Sequence, residues 1–400
     1  IKPGEKIIKS NEFNKEIPSI ISNLNNSYIY IQGPPGTGKT FQASNAIIEL
    51  LKQNKKIAIT GLSHKVIHNL LQRVEDMAAE KQFKFNGFKK GNLEDDDTIF
   101  KGENIKTYEK DPPFMDALKE KNVGNIFAGT KYHLANSYYD EKIDYLFIDE
   151  AGQLSLADLI SIGNIAKNLV LIGDQNQLGQ PIRGTHPNNS GQSILEYLLE
   201  GKDTIPEDKG IFLNKTYRLN SKINNFISSN FYEERLICDD RTDKRIIKFN
   251  NKSLIKRDGI HYIEMNHKNN VQTSIEEFEV VKSLMKQLIG VEFDDNGKKR
   301  KLTANDFLII SPYNTQVNLL ISKLEEEKVK NPRVGTIDKF QGQEAPIAII
   351  SMTSSDSDSL PRNKEFFFNR NRLNVAISRA QVASIILFNP QLLDSSPKNL

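Results

Sequence analysis

The chain has 400 residues, 38% of them hydrophobic and 26% charged, with a formal net charge of +3. That length exceeds one ordinary core and suits two or three domains, and no apolar run approaches the roughly 18–20 residues of a membrane span, so no membrane partner is expected. The single cysteine, Cys238, excludes internal disulfides and thiolate metal clusters and fits a reducing cytoplasm, while the small net charge requires any nucleic-acid face to be local.

The start, IKPGEKIIKS, lacks the apolar stretch and cleavage site of a signal peptide. Because it begins at Ile1, it is expected to continue a longer polypeptide. SYIYIQ then reads as a short buried strand, and FQASNAIIELLKQN has helical spacing at Phe41, Ile47, Ile48 and Leu51. KIAIT, DYLFIDE and NLVLIGD read as further strands, with HKVIHNLLQRVEDMAA as a helix. Residues 83–112 are rich in charge and turn formers, as in LEDDDT and KDPP, and are expected to form an insertion on the first domain. EGKDTIPEDKG carries linker signals. Beyond it come the strands DFLIIS and IAIISMT and the helix NTQVNLLISKLEEEK. SSDSDSLPRNK, at 354–364, reads as a mobile, solvated loop, and NRNRLNVAISRA sets Arg370, Arg372 and Arg379 around a short helix. The alternation predicts an α/β fold with parallel sheets flanked by helices, in two domains, 1–208 and 209–400.

GPPGTGKT has the form G-x-x-x-x-G-K-T between a predicted strand and a predicted helix. Gly33, Pro34, Pro35, Gly36, Thr37 and Gly38 would shape a loop whose N–H groups point at phosphate. Lys39 would reach the β- and γ-phosphates, and the Thr40 hydroxyl would bind magnesium. An acidic partner follows in FIDEAGQ: Asp149 ends an apolar strand and can hold the metal, and Glu150 can orient or deprotonate the attacking water. In LIGDQNQLGQPI an apolar strand runs into Asp174 and then Gln177, whose amide can bond the γ-phosphate or that water. These residues point to ATP and Mg²⁺ as cofactors.

GPPGTGKT, DEAGQ, GDQNQL, TYRLN, VGTIDKFQGQE and NVAISRA together resemble the ordered motifs of superfamily 1 helicases. The branch is the one containing the nonsense-mediated-decay RNA helicase, senataxin and the replication nuclease-helicase. SHKVIHNLL and FNRNRLNVAISRAQ also resemble bacterial members whose helicase part follows a RecB-like nuclease. The resemblance implies two tandem RecA-like domains with ATP in the cleft between them, and a second domain without its own P-loop. It also implies that Tyr217 stacks on adenine, Arg218 contacts the phosphates, and Arg379 is an arginine finger. Beside that finger, Arg372 reads as a brace of the domain interface or the strand path, and Arg370 as an ordinary surface residue. Gly342 and Glu344 carry the pattern placed near the nucleotide sugar. Two departures stand out: Gln343 sits where many relatives have arginine, and Lys15-Glu16 occupies the region where an upstream glutamine would read adenine. The only nearby glutamine is Gln32.

The resemblance further implies strand contacts at Ser63, His64, Gly129, Thr130, Pro312, Tyr313 and Thr336. Small polar residues and free N–H groups at loop tips can hold phosphates without large charge, and an aromatic can stack on a base. The expected activity is that of an ATP- and magnesium-dependent helicase or translocase on single-stranded DNA or RNA. DNA and 5′→3′ movement are favoured, by analogy. An RNA helicase, or an ATPase switch without unwinding, stands as the alternative. No nuclease constellation is legible in the 400 residues, so a nuclease would be a fused or partner domain.

Overall fold

The computed structural model describes residues 4–10, 12–179, 190–251, 253–356, 360 and 368–393. They fall into two compact units, one comprising Ile1–Gln175 with Gly179–Asn214, the other Asn176–Leu178 with Lys215–Leu400. The chain therefore divides after Asn214 rather than at 208. The expected linker belongs to the first unit: Ile205 N–H donates to Gln32 Oε1 at 2.7 Å, and Gln32 Nε2 donates to the Asp203 carbonyl at 3.0 Å.

Among the described residues the first unit has eight strands: β1 (Tyr28–Gln32), β2 (Ile57–Thr60), β3 (Asn86–Lys90), β4 (Ile105–Tyr108), β5 (Asn125–Ala128), β6 (Ile143–Ile148), β7 (Ala166–Gly173) and β8 (Ile211–Phe212). They form one sheet in the order β4-β3-β5-β2-β6-β7-β1-β8, every pair parallel. Strands covered on both faces read as continuous apolar runs rather than alternations, and IAIT in β2 is buried at all four positions. Helices α1 (Phe13–Ser22), α2 (Lys39–Lys52) and α3 (His64–Glu80) are amphipathic and bury Ile17 and Ile21, Ile47 and Leu50, and Leu70 and Val74 in the same core as Ile29, Ile59 and Phe147. Fully burying each such side chain is worth about 1.5–3 kcal/mol, which outweighs the modest helix propensity of residues such as Asn45.

The charged segment 83–112 is not an appendage. It supplies β3 and β4, which extend the sheet at one edge. Charge in LEDDDT and KDPP conceals interleaved apolar residues. Phe88 stacks on Phe127 at 5.7 Å between ring centres, and Ile105 is buried. Gly87 lies so close to Ile105 that a Cβ would meet its Cγ1 at 2.5 Å.

The second unit contains β9 (Lys215–Thr216), β10 (Ile237–Cys238), β11 (Arg245–Ile247), β12 (Gly259–Glu264), β13 (Glu292–Asp295), β14 (Lys298–Lys301), β15 (Phe307–Ile310), β16 (Val334–Gly335), β17 (Ala345–Ser351) and β18 (Ala380–Phe388). Five form a parallel sheet in the order β12-β18-β17-β15-β16. Its core gathers Phe307, Ile309, Ile347, Ile349 and Ile385 with Val281 and Leu284 of the helix Ile275–Leu288. A side sheet, β11-β13-β14, is antiparallel. Its hairpin turns at Asn296-Gly297, where φ is 56° and 89°, the left-handed pair that a two-residue hairpin turn demands.

Of the expected mobile loop at 354–364, Ser354 and Ser355 are buried, with Ser354 Oγ donating to the Val271 carbonyl at 2.6 Å. Most of the rest lies outside the described residues, as does the end of LIGDQNQLGQPI.

Candidate nucleotide site and nucleic-acid face

The loop Gly33–Gly38 joins β1 to α2, as the glycine pattern requires. Gly36 and Gly38 take φ of 73° and 79°, which only glycine adopts without strain. The loop is anchored to the sheet by Gly33 N–H donating to the Gly173 carbonyl at 2.9 Å and closed by Thr37 Oγ1 donating to the Pro34 carbonyl at 2.8 Å. Lys39 Nζ donates to the Gly33 carbonyl at 2.6 Å, so the ammonium lies over the loop. Thr40 is half-buried in the first turn of α2.

Asp149 follows β6 and is buried. Its N–H reaches the Thr60 carbonyl at 3.0 Å, and its Oδ1 accepts from Glu150 N–H at 3.0 Å. Burial pushes the Asp149 carboxyl up to about 7; the charge of Glu150 adds to this, and Lys39 opposes it. A buried carboxylate held this high gains strongly from an added cation. Thr40 and Asp149 therefore fit a hard divalent ion with oxygen ligands and phosphate partners. Glu150 is half-buried with φ 53°, a left-handed conformation uncommon for a non-glycine residue and concentrated at functional sites.

Gly173 ends β7 so close to the Asp149 segment that a Cβ would meet the N–H groups of Ala151 and Gly152 at 2.9 Å. Asp174 follows, buried. Gln177 is also buried but groups with the second unit. There Asn176 Nδ2 donates to the Phe231 carbonyl at 2.6 Å, and Asn374 Nδ2 donates to the Asn176 carbonyl at 2.7 Å. Gln32 cannot substitute for the missing adenine reader, since it is fully buried and both ends of its amide bond backbone of residues 203–205.

In the second unit Tyr217 is exposed, with the Arg241 guanidinium 5.3 Å from its ring centre. Arg218, by contrast, is buried. Its Nε pairs with Glu344, and its Nη1 donates to the Ser378 carbonyl at 3.2 Å. The resemblance implies a phosphate contact for Arg218; in this structure its guanidinium is engaged with Glu344 and the Ser378 carbonyl. Burial raises Glu344, but Arg218, Gln381 and Arg245 outweigh it and hold the carboxyl below its ordinary value. Arg379 is buried beside this pair, its Nη1 donating to the Gln343 carbonyl at 3.0 Å. Gly342 turns the chain there with φ 77°. Arg372 meets Asp338 at 3.2 Å. Arg370, expected to be a plain surface residue, lies 4.9 Å from the Phe231 ring centre and donates to the Asn230 carbonyl.

The strand-contact candidates cluster by sheet edge. Ser63 and His64 follow β2, and Gly129 and Thr130 follow the neighbouring β5. Ser63 caps α3, its hydroxyl accepting from Val66 N–H at 3.3 Å. Gly129 N–H bonds the Ile59 carbonyl at 3.2 Å, and Thr130 opens the short helix Lys131–Leu134. In the second unit Pro312 and Tyr313 follow β15 and Thr336 follows β16, at the opposite sheet edge from Glu344 and Arg379, which precede β17 and β18. Tyr313 is half-buried, its hydroxyl 3.3 Å from Ser354 Oγ. Sequence reasoning missed Tyr132, an aromatic 80% exposed and two residues after Thr130. It missed Lys89 as well, fully buried beside His64.

A parallel sheet that ends one strand in a glycine-rich phosphate loop, and another in an acid pair, defines a P-loop nucleoside-triphosphatase core. Models described as "AAA domain" match residues 190–391, half of the chain, and residues 17–182. The chain is 28% identical over 403 residues to the DNA replication ATP-dependent helicase/nuclease dna2 of Schizosaccharomyces pombe, covering 92% of this chain and 27% of that protein. It is 27% identical over 407 residues to the DNA polymerase alpha-associated DNA helicase A of the same yeast, covering 87% of this chain and 59% of that one. The chain thus spans between 27% and 59% of the length of these two relatives. It belongs to the superfamily 1 helicases, in the branch of the nonsense-mediated-decay helicase, senataxin and the replication nuclease-helicase.

Proposed function

We propose that this chain is the motor of an ATP- and magnesium-dependent helicase that moves along single-stranded nucleic acid, DNA rather than RNA, in the 5′→3′ direction. One observation carries the reading. In the first unit, five neighbouring strands, β5-β2-β6-β7-β1, end at one edge in Gly129–Thr130, Ser63–His64, Asp149–Glu150, Asp174 and the phosphate loop. Strand contacts and hydrolytic groups then share one rigid edge, where ligands of open α/β sheets bind.

In this reading Lys39 leaves the Gly33 carbonyl for the β- and γ-phosphates, and the N–H groups of the loop cradle them. Thr40 and Asp149 hold magnesium, which when bound neutralises charge on the phosphates. Glu150 accepts the proton of the attacking water, and Gln177 senses the γ-phosphate. Arg379 supplies the guanidinium that stabilises the transition state, Tyr217 stacks on the base, and Arg218 positions Glu344. The replication nuclease-helicase relatives favour DNA, and a nuclease partner or fused domain accords with them.

The test is ATP turnover with and without single strands, together with displacement of duplexes carrying a 5′ or a 3′ tail, in matched DNA and RNA. Stimulation by DNA and unwinding from the 5′ tail are expected. Turnover indifferent to nucleic acid sinks the motor reading in favour of a switch, and unwinding restricted to RNA sinks the choice of DNA.

A further inference from the structure

Lys89 is a fully buried lysine of β3, and among the described residues no carboxylate forms an ion pair with it. A buried charge is strongly penalised unless it answers some other need. Its Nζ lies 2.9 Å from Nδ1 of His64 and also meets the Lys90 carbonyl. An ammonium has only donors, so His64 Nδ1 must accept and its ring proton must sit on Nε2, for which the described residues show no partner. His64 is half-buried at the start of α3, at the edge shared with Gly129 and Thr130.

We propose that Lys89 is a positioning residue that fixes His64 as a neutral ring with Nε2–H turned to the strand, a hydrogen-bond donor for a phosphate oxygen of a single-stranded nucleic acid. The ligand rests on the helicase reading; the state of the ring does not. Three titratable groups surround His64: Lys89 from β3, His68 one turn along α3 with ring centres 6.1 Å apart, and Asp95 from the loop after β3. Burial lowers the His64 pKa, Lys89 lowers it further, and Asp95 opposes them. Burial brings Lys89 itself down to about 8, so it remains largely charged at neutral pH. The hydrogen bond made by one ring nitrogen sets the proton on the other. A neutral donor adds affinity without releasing a counterion, so its contribution is independent of salt.

The test uses the full chain with ¹⁵N-labelled histidine and a fluorescent oligothymidylate. The free wild type should show His64 as the Nε2–H tautomer and bind the oligonucleotide with a flat profile between neutral and mildly acidic pH. In Lys89→Met the tautomers should mix, the His64 pKa should rise towards its ordinary 6.5, and binding should strengthen as pH falls. His64→Ala should weaken binding about tenfold with the salt slope unchanged, whereas loss of a cationic phosphate contact would flatten the slope by about 0.7. His64→Gln, which keeps a neutral N–H donor, should retain part of the affinity and controls for folding. The inference is overturned if Lys89→Met leaves the tautomer and pH profile of the wild type, or if His64→Ala changes the salt slope. A wild type that binds no strand removes the ligand and the helicase reading together, while the tautomer, read on the free protein, still decides the role of Lys89.

Discussion

Asp149 and Glu150 are adjacent carboxylates with different environments, and that difference supports the separate tasks proposed for them. Asp149 is buried and holds its proton up to about 7, against an ordinary 3.8. A folded-state pKa above the unfolded one means that this group favours folding below pH 3.8 and that the contribution is lost as pH rises towards 7. Nucleotide-free Asp149→Asn should therefore melt higher than the wild type at pH 8, and the gap should close towards pH 4. A gap of equal size at both pH values would contradict the assignment of burial as the cause. Glu150 is more exposed and stands where a water can reach it. Glu150→Gln should still bind ATP yet turn it over about 10²–10⁴-fold more slowly, as measured by nucleotide binding beside steady-state phosphate release. Unchanged turnover would remove Glu150 from the chemistry. The acid pair was legible in the sequence because strand, acids and turn are contiguous in FIDEAGQ. The pairing of buried Arg218 with half-buried Glu344 was not, because 126 residues separate them.

Among the elements, the ends of β17 and of the helix Ile275–Leu288 are joined by a buried network. Glu277 accepts from Thr353 N–H at 2.9 Å and from Ser351 Oγ at 2.5 Å, and it lies 3.3 Å from His267 Nε2. Burial raises the Glu277 carboxyl, with His267, Ser351 and Thr353 opposing it. Thr353 takes φ 74°, an outlier for a β-branched residue that persists only where its surroundings impose it. Removing the carboxylate leaves three buried polar groups without it, so Glu277→Ala should destabilise the chain by about 3–5 kcal/mol, read as a lowered urea midpoint. A change under about 0.5 kcal/mol, the level of an ordinary surface substitution, would show the network to be dispensable. Strands such as IAIT and NLVLIGD could be read from composition alone. β3 could not, since NGFKK buries a glycine and a lysine at alternate positions, residue types that carry no apolar signal. The side chain that completes its burial, Ile105, comes from a strand paired with it only in the folded sheet.

At the scale of the whole molecule, the two cations proposed to act on the γ-phosphate lie in different units, Lys39 in the first and Arg379 in the second. Arg379→Ala should leave nucleotide binding in place and slow strand-stimulated turnover by about 10³–10⁵, the range of arginine fingers. Arg379→Lys should recover little, since an ammonium lacks the planar fork. Wild-type turnover in Arg379→Ala would exclude the finger. The sequence by itself determined the phosphate loop, the acid pair, the order of the helicase motifs and so the family, because each is a short contiguous pattern whose chemistry depends on local spacing. Tertiary structure alone decided that segment 83–112 completes a sheet, that Gln32 and Arg218 are turned inward, that Gln177 groups with the second unit, and that a buried lysine meets His64. Each of those depends on which residues distant in the chain come within about 3 Å of one another, and hydrogen bonding and burial select such partners only once the sheets have formed.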